Sequence, residues 1–229
     1  MYRSSFLPIT QVYLRIRPLM FIGYAVVCLL VLTLQPACAG AFPTDLFGYR
    51  QTPQTDIRYF PQWVQALERH LTDDLREGDC SERRINRCHL AEWQSFLQRI
   101  RALSAREQIE QINRYANNKD YVLDIENYGL EDFWAVPREF LFNGGDCEDY
   151  SITKLFSLRW LGYSMDDMRI VVLQDTNLRV AHAVLALASG NDILILDNQV
   201  QQVISHREII HYAPVYSIND KQWWMHTPK

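Results

Sequence analysis

Several features that would point to a function class are missing from this sequence of 229 residues. The formal net charge is only −4, which argues against nucleic acid as the main partner. The chain has no internal repeat and no low-complexity segment. No G-x-S-x-G motif occurs, so serine-based hydrolysis has no support. No Cys/His pairing has the spacing of zinc ligands, which argues against a zinc site.

The first 39 residues have the layout of a secretory signal peptide. Arg15 and Arg17 precede an apolar run over residues 19–34, and residues 37–39 form an A-x-A cleavage site before Gly40. The run is short for a membrane span, although an uncleaved inner-membrane anchor stays open as the alternative. We therefore predict a signal peptide over 1–39 and an exported, periplasmic domain over 40–229, long enough to bury one sizeable core.

Export makes the cysteine count informative, because oxidising compartments favour disulfides. Of the five cysteines, Cys28 and Cys38 leave with the predicted signal peptide. Cys80 and Cys88 are close in sequence and form the obvious pair. An odd count then leaves Cys147 as a free thiol.

The exported domain is predicted to be an α+β domain, with helices first and an antiparallel sheet later. Residues 40–55 are predicted to be an irregular lead-in. Ser104 and Glu107 have the spacing of a capping box, which places a helix start at that point. Helical periodicity, with apolar stripes assigned to the core, predicts helices over 59–75, 88–103, 104–117 and 147–161, and β-type runs predict strands over 168–173, 180–188, 193–197 and 213–217.

The stretch Gly144-Gly145-Asp146-Cys147-Glu148-Asp149-Tyr150 marks the start of the fourth helix. A thiol in the first turn of a helix faces unpaired backbone N–H groups, which favour the thiolate, so Cys147 is the candidate nucleophile. Three flanking carboxylates have the opposite effect, because like charge raises the pKa of a thiol. A hard cation such as Ca²⁺ would neutralise them, and the alternative is that they only cap the helix.

A cysteine nucleophile needs a base and a group that orients the base. His182 lies inside an apolar strand, and Asp197 ends the next strand. If Ser189 pairs with Asp192 across the turn, His182 and Asp197 are diagonal neighbours on one face of the hairpin, within reach of a hydrogen bond. The alternative interpretation is that His182 is a structural core residue and Asp197 a turn residue. The other five histidines of the six are interpreted as structural.

These motifs, from the G-G-D-C-E-D-Y block through His182-Ala183-Val184-Leu185 to Leu196-Asp197-Asn198, resemble the bacterial transglutaminase-like cysteine peptidases. The family's best-known members are the LapG-type periplasmic adhesin proteases. The resemblance implies a papain/transglutaminase-like fold, with N-terminal helices and a catalytic helix packed on an antiparallel sheet. It also implies a triad of Cys147, His182 and Asp197, and a Ca²⁺ site at Asp146 and Glu148 with Asp149 as a further ligand.

The same resemblance implies a function. The expected substrate is the N-terminal region of a large surface adhesin, whose cleavage releases the adhesin and disperses biofilm. The expected inhibitor is an inner-membrane receptor for cyclic di-GMP. A transglutaminase-type acyl transferase and a non-catalytic Ca²⁺-dependent binding module stay open as alternatives.

Overall fold

The structure is a computed structural model that describes residues 42–81 and 86–229. The predicted signal peptide lies outside the described residues. Within these ranges, no helix has the length and apolarity needed to cross a membrane.

The predicted helices are present, each a little shorter than its apolar pattern. Ser104 and Glu107 form the predicted capping box, in which each side chain bonds the backbone N–H of the other residue. Two further short helices fall where the sequence has no clear period. The helices are α1 (Pro61–Thr72), α2 (Leu90–Ile100), α3 (Ala105–Asn117), α4 (Asp124–Asn127), α5 (Pro137–Asn143) and α6 (Cys147–Trp160).

Helix α6 is the centre of the core, and its side chains are buried on nearly every face. It packs on α3, α5 and two strands of the sheet. One of its buried polar groups joins it to α2: Ser157 Oγ donates to the Thr153 carbonyl and accepts from the indole N–H of Trp93. A helix enclosed in this way holds its first residue in a fixed place.

The described residues form one eight-stranded antiparallel sheet with the order β1-β2-β8-β7-β3-β4-β5-β6. The four predicted strands are present as β3, β4, β5 and β7, which confirms the α+β prediction. The strands are β1 (Asp45–Leu46), β2 (Tyr49–Gln54), β3 (Met168–Asp175), β4 (Val180–Ser189), β5 (Asp192–Leu196), β6 (Ile204–Ser205), β7 (Tyr212–Ile218) and β8 (Trp223–Pro228).

The prediction of an irregular lead-in over residues 40–55 was wrong, because β1 and β2 lie within it. Strand β2 pairs along its whole length with β8, from Tyr49 opposite Pro228 to Gln54 opposite Trp223. Its side chains are largely exposed, so backbone pairing forms the strand without an apolar pattern in the sequence. Leu71 also departs from the prediction, since it falls on the α1 apolar stripe but is 76% exposed.

Strands β3 and β4 are covered on both faces, which explains their nearly continuous apolar sequences. Alternate residues belong to two separate clusters. Ile170 and Leu185 pack with the helices, whereas Val171 and Val184 pack with the N-terminal segment around Phe42 and with Tyr212. The N-terminus of α6 and one end of β4 meet beside these layers, where the candidate site lies.

Candidate active site

The glycine pair before α6 allows two backbone segments to approach closely. Gly144 has φ +68°, and a Cβ on it would lie 2.3 Å from the Asp120 carbonyl oxygen. A Cβ on Gly145 would lie 2.1 Å from Oδ2 of Asp149. The backbone of Gly145 bonds both the Asp120 carbonyl and the Val122 N–H. The turn therefore needs glycine at both positions.

Cys147 is the first residue of α6, as predicted, and is partly buried. Cys80 and Cys88 are joined in a disulfide, so Cys147 is the free thiol of the described residues. Its Sγ donates to Oε2 of Glu148 at 3.2 Å. Burial, together with the charges of Glu148 and Asp146, raises the pKa of the thiol, against a hydrogen bond from the Ala183 N–H that lowers it. Without a counter-charge, the sulfur is held as the thiol.

His182 and Asp197 are in direct contact. The β4–β5 hairpin has the predicted register, with Ser189 opposite Asp192. His182 Nε2 lies 2.9 Å from Oδ1 of Asp197, and both side chains are buried. The bond to Asp197 occupies Nε2 and leaves Nδ1 as the ring nitrogen available to a thiol.

A cleft of about 200 Å³ brings Cys147 and His182 together. Ser151 Oγ, in the second turn of α6, donates to the carbonyl of Ala183, the residue after His182, at 3.3 Å and ties the start of α6 to β4. Trp134 also lines the cleft, and its ring packs against Trp63 with ring centroids 6.0 Å apart. The cleft is lined by Asp132, Trp134, Cys147, Glu148, Val172, Ala181, His182, Ala183 and Tyr216.

Five carboxylates surround the start of α6: Asp124, Asp132, Asp146, Glu148 and Asp149. Their oxygens approach one another within 4.8 Å in overlapping groups of three. Burial and the neighbouring negative charges raise the pKa of Asp146 to about 8 and that of Asp149 well above its usual range. Burial likewise raises the pKa of Asp124 to about 6 and raises that of Glu148. Such a cluster fits a hard cation with oxygen ligands.

The carboxylate oxygens of this cluster differ in their hydrogen bonding. Asp149 uses both oxygens on the backbone, accepting from Ala135 N at 2.6 Å and from Asp146 N at 3.2 Å. By contrast, Oδ1 of Asp124 and Oδ1 of Asp146 are buried with no hydrogen-bond partner in the described part of the chain. Buried orphan carboxylate oxygens are costly, and a bound cation would satisfy them. The residues that fit a metal best are therefore Asp146, Glu148 and Asp124, whereas Asp149 has a structural bond at each oxygen.

The family model described as bacterial transglutaminase-like cysteine proteinase matches residues 78–228. The chain belongs to this family. No curated protein sequence matches it.

Among solved structures, the chain is similar to LapG from Legionella pneumophila. Identity is 27% and the TM-score 0.55, over 72% of this chain and 84% of LapG. A calcium-bound form of LapG gives the same identity and TM-score, with 86% of LapG covered. An EGTA-treated form matches at 26% identity and a TM-score of 0.55, over 76% of this chain and 87% of LapG.

Sequence reasoning missed several residues at this transglutaminase-like site. Asp124 and Asp132 join the acidic cluster from a segment without periodicity, and the density of acidic residues before the glycine pair was the available signal. Tyr212, which donates to Asp197, and Lys154, buried in α6, carried no signal. Their positions depend on packing between distant elements.

Proposed function

We propose that this member of the family is a Ca²⁺-dependent periplasmic cysteine endopeptidase. The observation that supports it most is the shared cleft, which Cys147 and His182 both line, with His182 bonded to Asp197. In this proposal Cys147 is the nucleophile, His182 the general base and acid, and Asp197 the residue that orients the imidazole.

The proposed reaction begins with transfer of the Cys147 proton to Nδ1 of His182. The thiolate attacks the scissile carbonyl carbon, and the N–H of Cys147, unpaired in the first turn of α6, stabilises the oxyanion. The carbon–nitrogen bond breaks as the imidazolium protonates the leaving amine. Water then hydrolyses the thioester, with His182 taking its proton and returning one to the sulfur, which frees the acid product and the thiol.

Asp146, Glu148 and Asp124 are the proposed Ca²⁺ ligands, with Asp132 and Asp149 close to them. The support is the pair of orphan oxygens on Asp124 and Asp146, together with the calcium-bound and EGTA-treated forms of LapG. Bound Ca²⁺ supplies positive charge that offsets the carboxylates and lowers the pKa of the neighbouring thiol.

The proposed substrate and regulator come from the family resemblance. The substrate is the N-terminal region of a large surface adhesin, and its cleavage releases the adhesin and promotes biofilm dispersal. The regulator is an inner-membrane cyclic di-GMP receptor that sequesters the enzyme. The predicted signal peptide over residues 1–39 supports the periplasmic location.

The test is cleavage of the N-terminal fragment of a large adhesin from the same genome by the chain from residue 40 onward. Products are measured by mass with Ca²⁺ and with EGTA. A single cut that requires Ca²⁺ and is lost in Cys147→Ala supports the proposal. A cut that persists in EGTA contradicts the role of the metal.

Matched variants separate the metal from the general effect of removing charge. Asp146→Asn should lose cleavage, whereas Asp166→Asn, which removes an exposed carboxylate paired with Lys221, should retain it. A cross-linked product in place of a cut would indicate that the protein transfers the acyl group to an amine and is not a peptidase. Intact substrate together with an unreactive Cys147 would indicate a binding module.

A further inference from the structure

Tyr212 stands out among the buried residues because its hydroxyl reaches the acid of the proposed triad. It is the first residue of β7 and lies opposite Asp175 of β3. Its hydroxyl donates to Oδ2 of Asp197 at 2.5 Å, and the bond is buried. Its ring also contacts the His182 ring edge-on, with centroids 5.8 Å apart.

The bonds to Asp197 account for both of its carboxylate oxygens. Oδ1 accepts from Nε2 of His182 at 2.9 Å and from the Gln199 N–H at 2.9 Å. Oδ2 accepts from Tyr212. Because the Asp197 side chain is only 4% exposed, water does not readily replace a lost donor. Without the hydroxyl, the carboxylate loses its one side-chain bond at Oδ2.

We propose that Tyr212 is a positioning residue of the active site, whose hydroxyl fixes the Asp197 carboxylate in the plane that serves His182. This inference rests on the proposed function and assigns the site a fourth residue. The carboxylate turns about its Cβ–Cγ bond unless both oxygens are held. Tyr212 holds the oxygen that His182 does not use, and its ring limits the tilt of the imidazole.

The surroundings of Tyr212 favour this role over a generic packing role. Phe47 packs edge-on against the ring at 5.6 Å, and His211 lies 4.6 Å away. Strand pairing with β3 fixes the backbone of Tyr212. The phenol ring is thus held by aromatic neighbours and by its paired backbone, and a rigid donor is what orientation of a carboxylate requires.

Charges around the pair set the expected pH behaviour. Burial raises the pKa of Asp197, but the contacts with His182, the hydroxyl of Tyr212 and the N–H of Gln199 together lower it below its usual value. Burial and the negative charges of Asp197 and Asp175 raise the pKa of the Tyr212 hydroxyl, so it remains a donor. Burial lowers the pKa of Lys154 in α6 to about 7, against the charge of Asp197, which raises it, and His211 flanks the phenol ring.

The test is Tyr212→Phe, which removes the oxygen and keeps the ring. Adhesin-fragment cleavage is measured in Ca²⁺, with Cys147→Ala as the inactive reference. We expect kcat to fall by about tenfold to a hundredfold, the range of a lost buried bond to a charged group, while KM changes by less than about twofold. A carbon-13 titration of the Asp197 carboxyl should show its pKa raised in the variant.

Tyr163→Phe is the matched control. Its hydroxyl also donates within the fold, to Oε1 of Gln108 at 3.0 Å, but lies away from the cleft. We expect this variant to keep wild-type kcat and Asp197 titration. Melting temperatures of both variants show whether lost stability explains a difference.

The outcomes separate this inference from the proposed function. If the wild type cleaves through Cys147 but Tyr212→Phe matches Tyr163→Phe in kcat and in the Asp197 titration, the positioning role is overturned. A fall in activity through KM alone, with Asp197 unchanged, also overturns it. If the wild type shows no Cys147-dependent cleavage, the proposed function is overturned, and the catalytic role of Tyr212 with it.

Discussion

At the scale of single residues, the site concentrates groups whose burial conflicts with their charge. The carboxylates of Asp124 and Asp146 each have a buried oxygen without a partner in the described part of the chain. Their pKa values are raised, to about 6 and about 8, chiefly because burial disfavours the charged form. A protein retains such groups at a cost in stability, and the proposed cation site at the nucleophile would explain why they are present.

Lys154 is a second residue of this kind. It is fully buried in α6, and its Nζ has no hydrogen-bond partner among the described residues. Burial lowers its pKa from 10.5 to about 7, against the charge of Asp197, which raises it. The charged form of Lys154 is therefore destabilising in the folded state.

This burial predicts a pH-dependent effect of Lys154→Met. Below about pH 7 the lysine is charged in both states, so the variant should exceed the wild type in free energy of unfolding by about 1–3 kcal/mol. Above pH 7, Lys154 loses its proton in the folded wild type before it does in the unfolded chain, so the free energy of unfolding of the wild type rises. The difference in free energy of unfolding between variant and wild type therefore narrows by pH 9. Urea unfolding at pH 6 and pH 9 measures both values.

Lys221→Met is the control for this prediction, because Lys221 is exposed and paired with Asp166. It should show no gap that narrows between pH 6 and pH 9. A wild type more stable than Lys154→Met at pH 6 would show that the buried ammonium is a net stabilising partner of Asp197.

At the scale of elements, sequence patterns predicted the helix starts and turns that depend only on neighbouring residues. The capping box at Ser104, the glycine pair before α6 and the hairpin turn after Ser189 all carry residue types that their geometry requires. The register of that hairpin followed from one turn, and with it the approach of His182 to Asp197.

Elements that depend on distant partners were not predictable in the same way. Strand β2 forms by pairing with the edge of β8. The side chains of β2 are largely exposed, so its sequence has no apolar pattern that would predict the strand. Likewise, Asp124 reaches the acidic cluster because the turn at Gly145 bonds the backbone around Tyr121. Tyr212 reaches Asp197 through the pairing of β7 with β3. Tertiary pairing placed these residues. The density of acidic residues around Asp124 was the local signal for that residue, whereas the sequences around β2 and Tyr212 gave none.

The turn before α6 makes a prediction about Gly145. In Gly145→Ala, the new Cβ would lie 2.1 Å from Oδ2 of Asp149, the oxygen that bonds Asp146 N. We expect a loss of about 1–3 kcal/mol in the free energy of unfolding, as for overpacking in a core, and a loss of cleavage because Asp146 shifts. Chemical unfolding and the cleavage assay measure the two effects.

Gly190→Ala serves as the comparison, since a Cβ at Gly190 meets nothing within 4 Å although φ is +60°. Strain at that turn should cost about 1–2 kcal/mol and leave cleavage intact. Full activity in Gly145→Ala would show that the turn tolerates displacement of the Asp149 carboxylate.

At the scale of the whole molecule, the proposed cation site would couple metal binding to folding. A cation that binds only the folded state stabilises it by mass action, about 2.7 kcal/mol at a concentration of 100 Kd. We therefore expect Ca²⁺ to raise the melting temperature and EGTA to reverse the rise. Mg²⁺ should have a smaller effect, because it demands a more rigid geometry and retains its waters.

Asp146→Asn should lose most of this calcium-dependent rise, whereas Asp166→Asn should keep it. An equal rise in both variants would place the ion elsewhere. No rise in the wild type at millimolar Ca²⁺ would contradict a calcium site at the start of α6.

In the proposed mechanism, His182 and a cation beside Cys147 together make its thiol reactive. The most direct measurement is the rate of alkylation of Cys147 by iodoacetamide at pH 7, read by intact mass. The pairing of Cys80 with Cys88 leaves Cys147 as the target among the described residues. The proposed mechanism predicts fast alkylation of Cys147 in Ca²⁺, and at least tenfold slower alkylation in EGTA or in His182→Ala. Equal rates in all three conditions would contradict it.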